Sequence, residues 1–435
     1  MEIPPTPAPW SFAKRFAFRF ACVYFLLYSF PQPLQALFGA SFLPSWPLEK
    51  WEKLTSAYES GSHAFFVWIG EHVLGVQVEL NRTGSGDTLL AFVQLAAMPV
   101  LALLGACVWS TLARRRTEES RGFDWLLVYL RYVVAVTLLG YGLYKVFPLQ
   151  FGTLRLDRLM EPYGESSPMG ILWTFMAASV PYTFFGGLME TLGGVLLFWR
   201  RTSTLGALIC IAVMSNVVML NFCYDVPVKL YSAHILLMAC VIVLPDARRL
   251  LDVLLLHRAV APRELRPPPM AGPRMRVALL VGKYVFVASA VASQIVMCMG
   301  DSRMSNQKHE LYGVYEVEEF SRNGSVEEAT LANKSRWRSL IVNEYGGVSV
   351  RNLDDSKRFL RAAVDEKTKA ITFTAPQGQG TPQTLAGTKP DDEHLVLEGK
   401  LGDDALVVKL KKLPLPQFQL ISRGFNWIQE FPYNR

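Results

Sequence analysis

Charge is scarce in this sequence. Only 19% of its 435 residues are Asp, Glu, Lys or Arg, 51% are apolar, and the mean hydropathy is positive. Soluble chains carry about a quarter charged residues, so a protein wetted over its whole length is excluded. Paired cysteine motifs are also missing. The six cysteines, at 22, 107, 210, 223, 240 and 298, form no C-x-x-C pair and lie in or beside apolar runs. They are expected to be small buried hydrophobes. A Cys223–Cys298 disulfide at the outer face is allowed by the topology below, but no spacing supports it. No H-x-x-x-H pair occurs among six histidines, so metal or haem ligation has no support. No phosphate-binding loop, dinucleotide fingerprint or nucleophile elbow is present either. The net charge of +7 sits at the ends of apolar runs, where membrane orientation explains it better than nucleic acid does.

The scarcity is uneven. Residues 1–300 hold the apolar runs and 301–435 read as an ordinary polar globular sequence. A span needs about 20 mostly apolar residues. Runs of that kind lie near 16–38, 88–112, 124–147, 181–199, 204–223, 230–245 and 276–299. The expected fold is therefore a membrane all-α bundle of about seven transmembrane helices plus a C-terminal extramembrane β domain, with the lipid bilayer as partner. The opening MEIPPTPAPW lacks the pattern of a cleaved signal peptide, so the first run is expected to be a retained span. Basic clusters at Lys14/Arg15/Arg19, Arg114/Arg115/Arg116/Arg121, Arg200/Arg201 and Arg248 through Arg276 alternate with connections holding fewer cations. Putting the clusters inside gives a multi-pass protein of the cell (inner) membrane with a cytoplasmic N-terminus and an extracytoplasmic C-terminal domain.

Several segments are not simple spans. Residues 51–79 mix charges and aromatics and suit an outer amphipathic helix. Residues 168–199 exceed one straight crossing. Ser167-Pro168 starts a helix and Pro181 breaks it, giving a short outer helix over 168–179 before the fourth span. LLDVLLLHR reads as an inner surface helix and RPPPMAGPR as an irregular linker. Gly84-Ser-Gly-Asp87 reads as a turn and helix cap. From Glu310 the stretches YGVYEVEEF, SLIVNEYGGVSVRN, KAITFTA, HLVLEGKL, ALVVKLKKL and FQLISRGF alternate with period two between turns such as Asn323-Gly324 and Gly402-Asp403. They predict an antiparallel barrel or sandwich, either lipocalin-like with a cavity or solid. Asn323-Gly-Ser is a sequon in a eukaryotic secretory context. The aromatic RGFNWIQEFPYNR is a candidate for docking on the membrane domain.

Ionisable groups at membrane depth are functional candidates by default. Glu190 lies mid-span among Gly186, Gly187, Gly193 and Gly194, small residues that let another helix approach. It reads as a proton carrier, a ligand's hydrogen-bond acceptor, or the buried partner of an Arg or Lys. Tyr141 and Lys145 share a helix face, and Arg131 lies deeper towards the inside. Lys145 and Arg131 could also snorkel to water. Asn216 and Asn221 follow on the fifth span. Asp225 and Lys229 bracket Pro227, with His234 a turn later; a local ion pair fixing that turn is the plainer reading. Together Tyr141, Lys145, Asp225, Lys229 and His234 predict a polar pocket in the outer half of the bundle, with Glu190 deeper.

LRYVVAVTLLGYGLYKVFP followed by FFGGLMETLGGVLLFWRRTSTLGALICIAVM resembles the four-helix core of DoxX-like membrane proteins over residues 124–245. The shared features are Gly142-x-x-Lys145 at a helix end and Glu190 before Gly193-Gly194. The family is named for a subunit of a thiosulfate:quinone oxidoreductase. The resemblance thus implies a quinone-associated redox component, with Glu190 and Lys145 managing protons or hydrogen bonds. Electrons would need a bound quinone or a partner, because the chain has no redox motif. Membrane helices followed by an outer β domain are also distantly similar in arrangement to vitamin K-dependent carboxylases. Two other classes stay open: a membrane-anchored assembly protein binding a partner through 305–435, and a transporter, against which the lack of inverted repeats counts.

Overall fold

The computed structural model describes residues 9–38, 45–80, 84–116, 119–261, 273–305, 308–330, 333–365, 371–374 and 384–434. It divides into two compact units, Met1–Gln150 with Pro181–Met299, and Phe151–Val180 with Gly300–Arg435. The linker expected over 266–274 lies outside the described residues except at its last two positions.

The first unit is helical: α1 (Phe12–Ser29), α2 (Gln35–Phe38), α3 (Ser45–His72), α4 (Leu89–Leu112) and α5 (Ser120–Val146). In chain order α6 (Leu156–Leu159) and α7 (Pro168–Ala178) belong to the second unit. The first unit resumes with α8 (Val180–Leu197), α9 (Ser203–Cys223), α10 (Lys229–Val243), α11 (Ala247–Leu254) and α12 (Pro273–Ser305). Among the described residues six helices are long and apolar enough to cross a membrane: α4, α5, α8, α9, α10 continued through α11, and α12. The most apolar stretch of α5 is 67% buried, against 44% or less for the others. α5 is therefore the axis of the bundle.

The first apolar run behaves differently from its expectation. The run reaches Phe38, but helix α1 stops at Ser29, where Pro31 and Pro33 end it. Proline supplies no backbone N–H to continue the ladder. With Lys14, Arg15 and Arg19 in its first half, α1 falls outside the six. It packs along α4, where Ala102 and Ala106 are fully buried and Gly105 meets Val23. The outer amphipathic helix expected over 51–79 is α3, which starts six residues earlier. The helix expected over 168–179 is α7, capped by the Ser167 hydroxyl, which accepts from the Gly170 N–H at 3.1 Å. The disulfide considered for Cys223 and Cys298 is not formed. Cys298 is buried against Leu139 and Leu143, while Cys223 is exposed at the end of α9.

The second unit is built on an antiparallel meander: β1 (Gly313–Arg322), β2 (Ser325–Val326), β3 (Trp337–Val342), β4 (Gly347–Asn352), β5 (Lys357–Val364), β6 (Ile371–Thr374), β7 (Thr384–Thr388), β8 (His394–Leu401) and β9 (Asp404–Lys412). β1 pairs with β3 and also with β9, through Phe320 opposite Val408, and closes an eight-stranded barrel to which β2 is a short hairpin appendage. Closure removes both free sheet edges. Asn323 and Gly324 take positive φ in the β1–β2 turn, as a two-residue hairpin requires. Inward positions hold Phe320, Trp337, Phe373, Leu397, Val408 and Leu410, all buried.

FQLISRGF, expected as a strand, is not one. Pro414 and Pro416 precede it, and the chain forms a 3-10 turn and the short helix α13 (Gln419–Ser422). In the aromatic tail Phe425, Trp427, Ile428 and Phe431 are exposed. β3 and β4 are buried on nearly every residue, unlike the alternating β9. The outer side of β1 and β3 is covered by Leu156, Leu159 and Phe418, which pack on Val314 and Ile341. Polar contacts fix that cover: Arg351 reaches the Met160 carbonyl, and Lys357 Nζ lies 2.7 Å from Glu161 Oε1.

Burial pushes the Glu161 carboxyl up, but hydrogen bonds from Lys357 and Arg158 outweigh it and hold the group below its ordinary 4.5. A depressed carboxylate contributes stability above the unfolded-state value and loses it as pH falls through the folded one. Hydrogen exchange at 156–161, corrected for intrinsic rates, should therefore accelerate on acidification below about pH 4.5. Glu161→Gln should show the faster exchange already at neutral pH. Equal protection in wild type and variant at every pH would remove Glu161 from the docking contact.

Candidate functional site

Lys145 near the end of α5 and Glu190 in the middle of α8 form a buried ion pair. Nζ lies 2.8 Å from Oε1 and 2.7 Å from Oε2. Both side chains are almost entirely removed from solvent. A lone charge there would carry a large desolvation cost, so each partner needs the other. The glycines make the approach possible. A Cβ on Gly187 would lie 2.6 Å from Lys145 Cβ and 2.5 Å from the Gly142 carbonyl oxygen, and one on Gly142 would overlap Thr191. Seven residues along both helices, Gly194 meets the Ala135 carbonyl in the same manner. Gly186 meets nothing, so the contact depends on one glycine of the pair. The Tyr141 ring lies 5.9 Å from Lys145 Nζ. The buried Thr191 hydroxyl, next in sequence to Glu190, has no hydrogen-bond partner among the described residues.

A second polar group surrounds the start of α10. The Asp87 carboxylate accepts from the N–H groups of Lys229 (2.8 Å) and Leu230 (3.0 Å), with Lys229 Nζ at 3.8 Å. A carboxylate satisfies the free donors of a helix N-terminus and opposes its dipole. Asp225, at positive φ, pairs with Lys229 Nζ at 2.9 Å. Asn221 donates to the Ser232 hydroxyl at 3.0 Å. His234 Nδ1 lies 2.7 Å from the Leu230 carbonyl, which can only accept, so Nδ1 carries a proton. In the neutral ring Nε2 then accepts from Tyr24 OH at 2.7 Å. Tyr28 stacks on the imidazole with centroids 3.8 Å apart.

The expected pocket is therefore resolved into separate groups. Lys145, Glu190 and Tyr141 come together; Asp225 and Lys229 form the local turn pair; His234 joins tyrosines of α1. Tyr231 lies between them, its hydroxyl 3.2 Å from Thr137 and its ring 6.3 Å from Tyr141. Arg131 is brought to none of these. Its Nε and Nη2 donate to the Leu197 carbonyl at 2.9 and 2.7 Å, at the negative end of the α8 dipole. Among the described residues no three His, Cys, Asp or Glu side chains gather into a metal-holding group.

Tyr24, Tyr28 and Asp87 were not legible as partners of α10, because they reach it from 142 or more positions away. The same holds for a second buried ion pair. Arg19 Nη2 lies 2.7 Å from Glu119 Oε1 and joins α1 to the start of α5. Glu119 reads as part of a polar loop, and nothing local marks it as buried.

The chain is similar to the protein YwoB of Bacillus subtilis, described as uncharacterized. The two are 32% identical over 123 residues, covering 28% of this chain and 78% of YwoB. No family model and no solved structure matches the chain.

Removing one member of a buried pair leaves the other uncompensated, at about 3–5 kcal/mol, whereas replacing both with apolar groups of similar volume is close to neutral. Glu190→Gln should accordingly destabilise the bundle by about 3–5 kcal/mol. The double variant Lys145→Met/Glu190→Met should recover most of the loss in detergent unfolding titrations. Additive costs in the double variant would mean that the two charges are not coupled.

Proposed function

The chain and YwoB belong to one family, and on that premise we propose that this protein is a DoxX-like integral protein of the bacterial inner membrane. It binds a quinone-like molecule and exchanges protons with it through Lys145 and Glu190. The observation that carries the reading is the closed Lys145–Glu190 pair, an acid and a base sharing one buried contact beside a phenol. The residues present fit a quinone's needs. The Tyr141 ring beside the pair carries a donor, and the surrounding helix faces are apolar, while the Thr191 hydroxyl is taken up in the Gly142 contact. When bound, a quinone supplies two-electron, two-proton redox chemistry, with electrons delivered by a membrane redox partner. Lys145 holds a proton at Nζ, Glu190 balances that charge, and Tyr141 covers the pair on the side open to the surroundings.

The topology of the proposal has seven crossings, α1 being the first. In support, Arg15 Nη1 donates to the Arg116 carbonyl at 2.6 Å at one end of α1, while Tyr24 meets His234 one turn into α10. The α4–α5, α8–α9 and α10–α12 connections carry the arginine clusters, which supports putting them on the cytoplasmic side. The barrel then follows α12 on the outer side. A second reading has its own observation, the exposed aromatic tail of the barrel unit, with Trp427 91% exposed. It makes the protein a membrane anchor for an assembly partner.

Gently solubilised wild type should release a quinone on extraction, and Glu190→Gln should not, with Lys145→Met/Glu190→Met folded but equally empty. Quinone retained in the folded double variant would remove the pair from the site. No quinone in wild type, together with a stoichiometric partner lost on deletion of 424–435, would replace the redox reading with the anchoring one.

A further inference from the structure

Where α8 turns into α9 and α10 runs into α11, the first unit contains a cleft of about 320 Å³. Arg200 and Arg201 come to it from the α8–α9 turn and Arg249 from α11. Arg249 is held in place. Its Nη1 lies 3.2 Å from the buried Asp246 carboxylate, and its Nη2 donates to the Ala261 carbonyl at 3.0 Å. Among the described residues the lining carries three arginines and one aspartate. Lys283 of α12 stands within electrostatic reach of Arg200 and adds to the field.

Thr204, whose hydroxyl donates to Asp246, also lines the cleft, and the other lining residues, Leu250, Val253, Leu254 and Val260, are apolar. α11 is strongly amphipathic, with Leu254 63% exposed and Leu255 beyond its end 70% exposed. A short helix of this kind after an apolar span suits the headgroup plane of a bilayer, cations at the phosphates and leucines among the acyl chains. Guanidinium groups match phosphate oxygens by paired N–H donors. A concave site with a cationic floor and an apolar flank matches an amphiphile rather than a bare ion.

We propose that this cleft binds the headgroup of an anionic phospholipid, with the phosphate held by Arg200, Arg201 and Arg249 and the acyl chains lying along the leucines of α11. The proposal rests on the helices spanning a membrane and is independent of any role of the Lys145–Glu190 pair. Basic pockets between helices on the cytoplasmic side are suited to such headgroups, and one that is shaped and partly fixed by Asp246 gives a defined stoichiometry, unlike diffuse surface charge.

The test uses the full chain in nanodiscs of phosphatidylcholine with a minority of phosphatidylglycerol, and reads lipids retained on release by native mass spectrometry. Wild type should keep one phosphatidylglycerol in preference to phosphatidylcholine. Arg200→Gln/Arg201→Gln should weaken retention roughly thirty-fold, and Arg114→Gln/Arg115→Gln, which removes the same charge from another basic cluster, should leave it unchanged. If the first variant does not fold, the wild-type preference and stoichiometry still decide. No preference in wild type, unaltered retention in Arg200→Gln/Arg201→Gln, or equal loss in both variants would overturn the proposal. Displacement of the lipid by millimolar inorganic phosphate would assign the cleft to a free anion instead. A chain that fails to enter nanodiscs at all would strike at the membrane reading, and quinone content in the same samples reports separately on Lys145 and Glu190.

Discussion

Two opposite charges buried between α5 and α8 set the terms for the helical unit. Neither Lys145 nor Glu190 can be removed from water alone, and their bond distances leave little freedom in how the helices face each other. The backbones must therefore come close, which only glycine permits at 142 and 187. The repeat of the contact at Ala135 and Gly194, seven residues on along each helix, fixes the axial register as well as the distance. Arg131 then binds the last carbonyl of α8 from the same helix α5. One helix thus holds its neighbour at mid-depth and at its end. Gly193 passes the close packing to α9 through Cys210 and Gly206.

Helices α1, α4 and α10 are joined by polar contacts at their ends. Arg19 and Glu119 tie α1 to the beginning of α5, and Tyr24 ties it to α10 through His234. Asp87, just before α4, caps α10. In a bilayer the hydrophobic effect does not drive helices together, because lipid tails are as apolar as leucine. Close glycine contacts and satisfied polar pairs are what remain to specify partners, and they occur here at each junction described. The barrel solves a different problem in water. It buries Phe320, Trp337 and Phe373 in one closed interior, and the segment around Leu156 covers Val314 and Ile341 on the outside.

The sequence carried the long helices because an apolar run of about 20 residues has few other readings. It carried less where hydrophobicity and backbone chemistry disagree. Residues 30–38 continue the first apolar run, yet Pro31 and Pro33 end the helix before it. FQLISRGF alternates like a strand over too few residues to outweigh the prolines ahead of it. β5, KRFLRAAV, was hidden by its exposed Arg358 and Arg361, and β7 by its small residues. For the site, Lys145 and Glu190 stood out individually because charge is costly at that depth. Their pairing was not legible, since it depends on which glycine faces which helix. Asp87 was legible as a cap, but the helix it caps lies 142 positions further on.

A closed ion pair is often taken as evidence against a chemical role, since both partners are already satisfied. Its surroundings argue for a more particular reading. A purely structural pair is best served by a neighbourhood in which every polar atom is used. Here the Thr191 hydroxyl is buried without a partner among the described residues, and Tyr141, although beside Lys145, is 42% exposed. The Thr191 hydroxyl lies at the Gly142 contact itself, so it is the phenol reaching the surface that marks the direction from which a flat, mostly apolar molecule could meet the pair without disturbing the glycines behind it. The tight side of the pair thus holds the helices, and the loose side is where the proposed chemistry would take place.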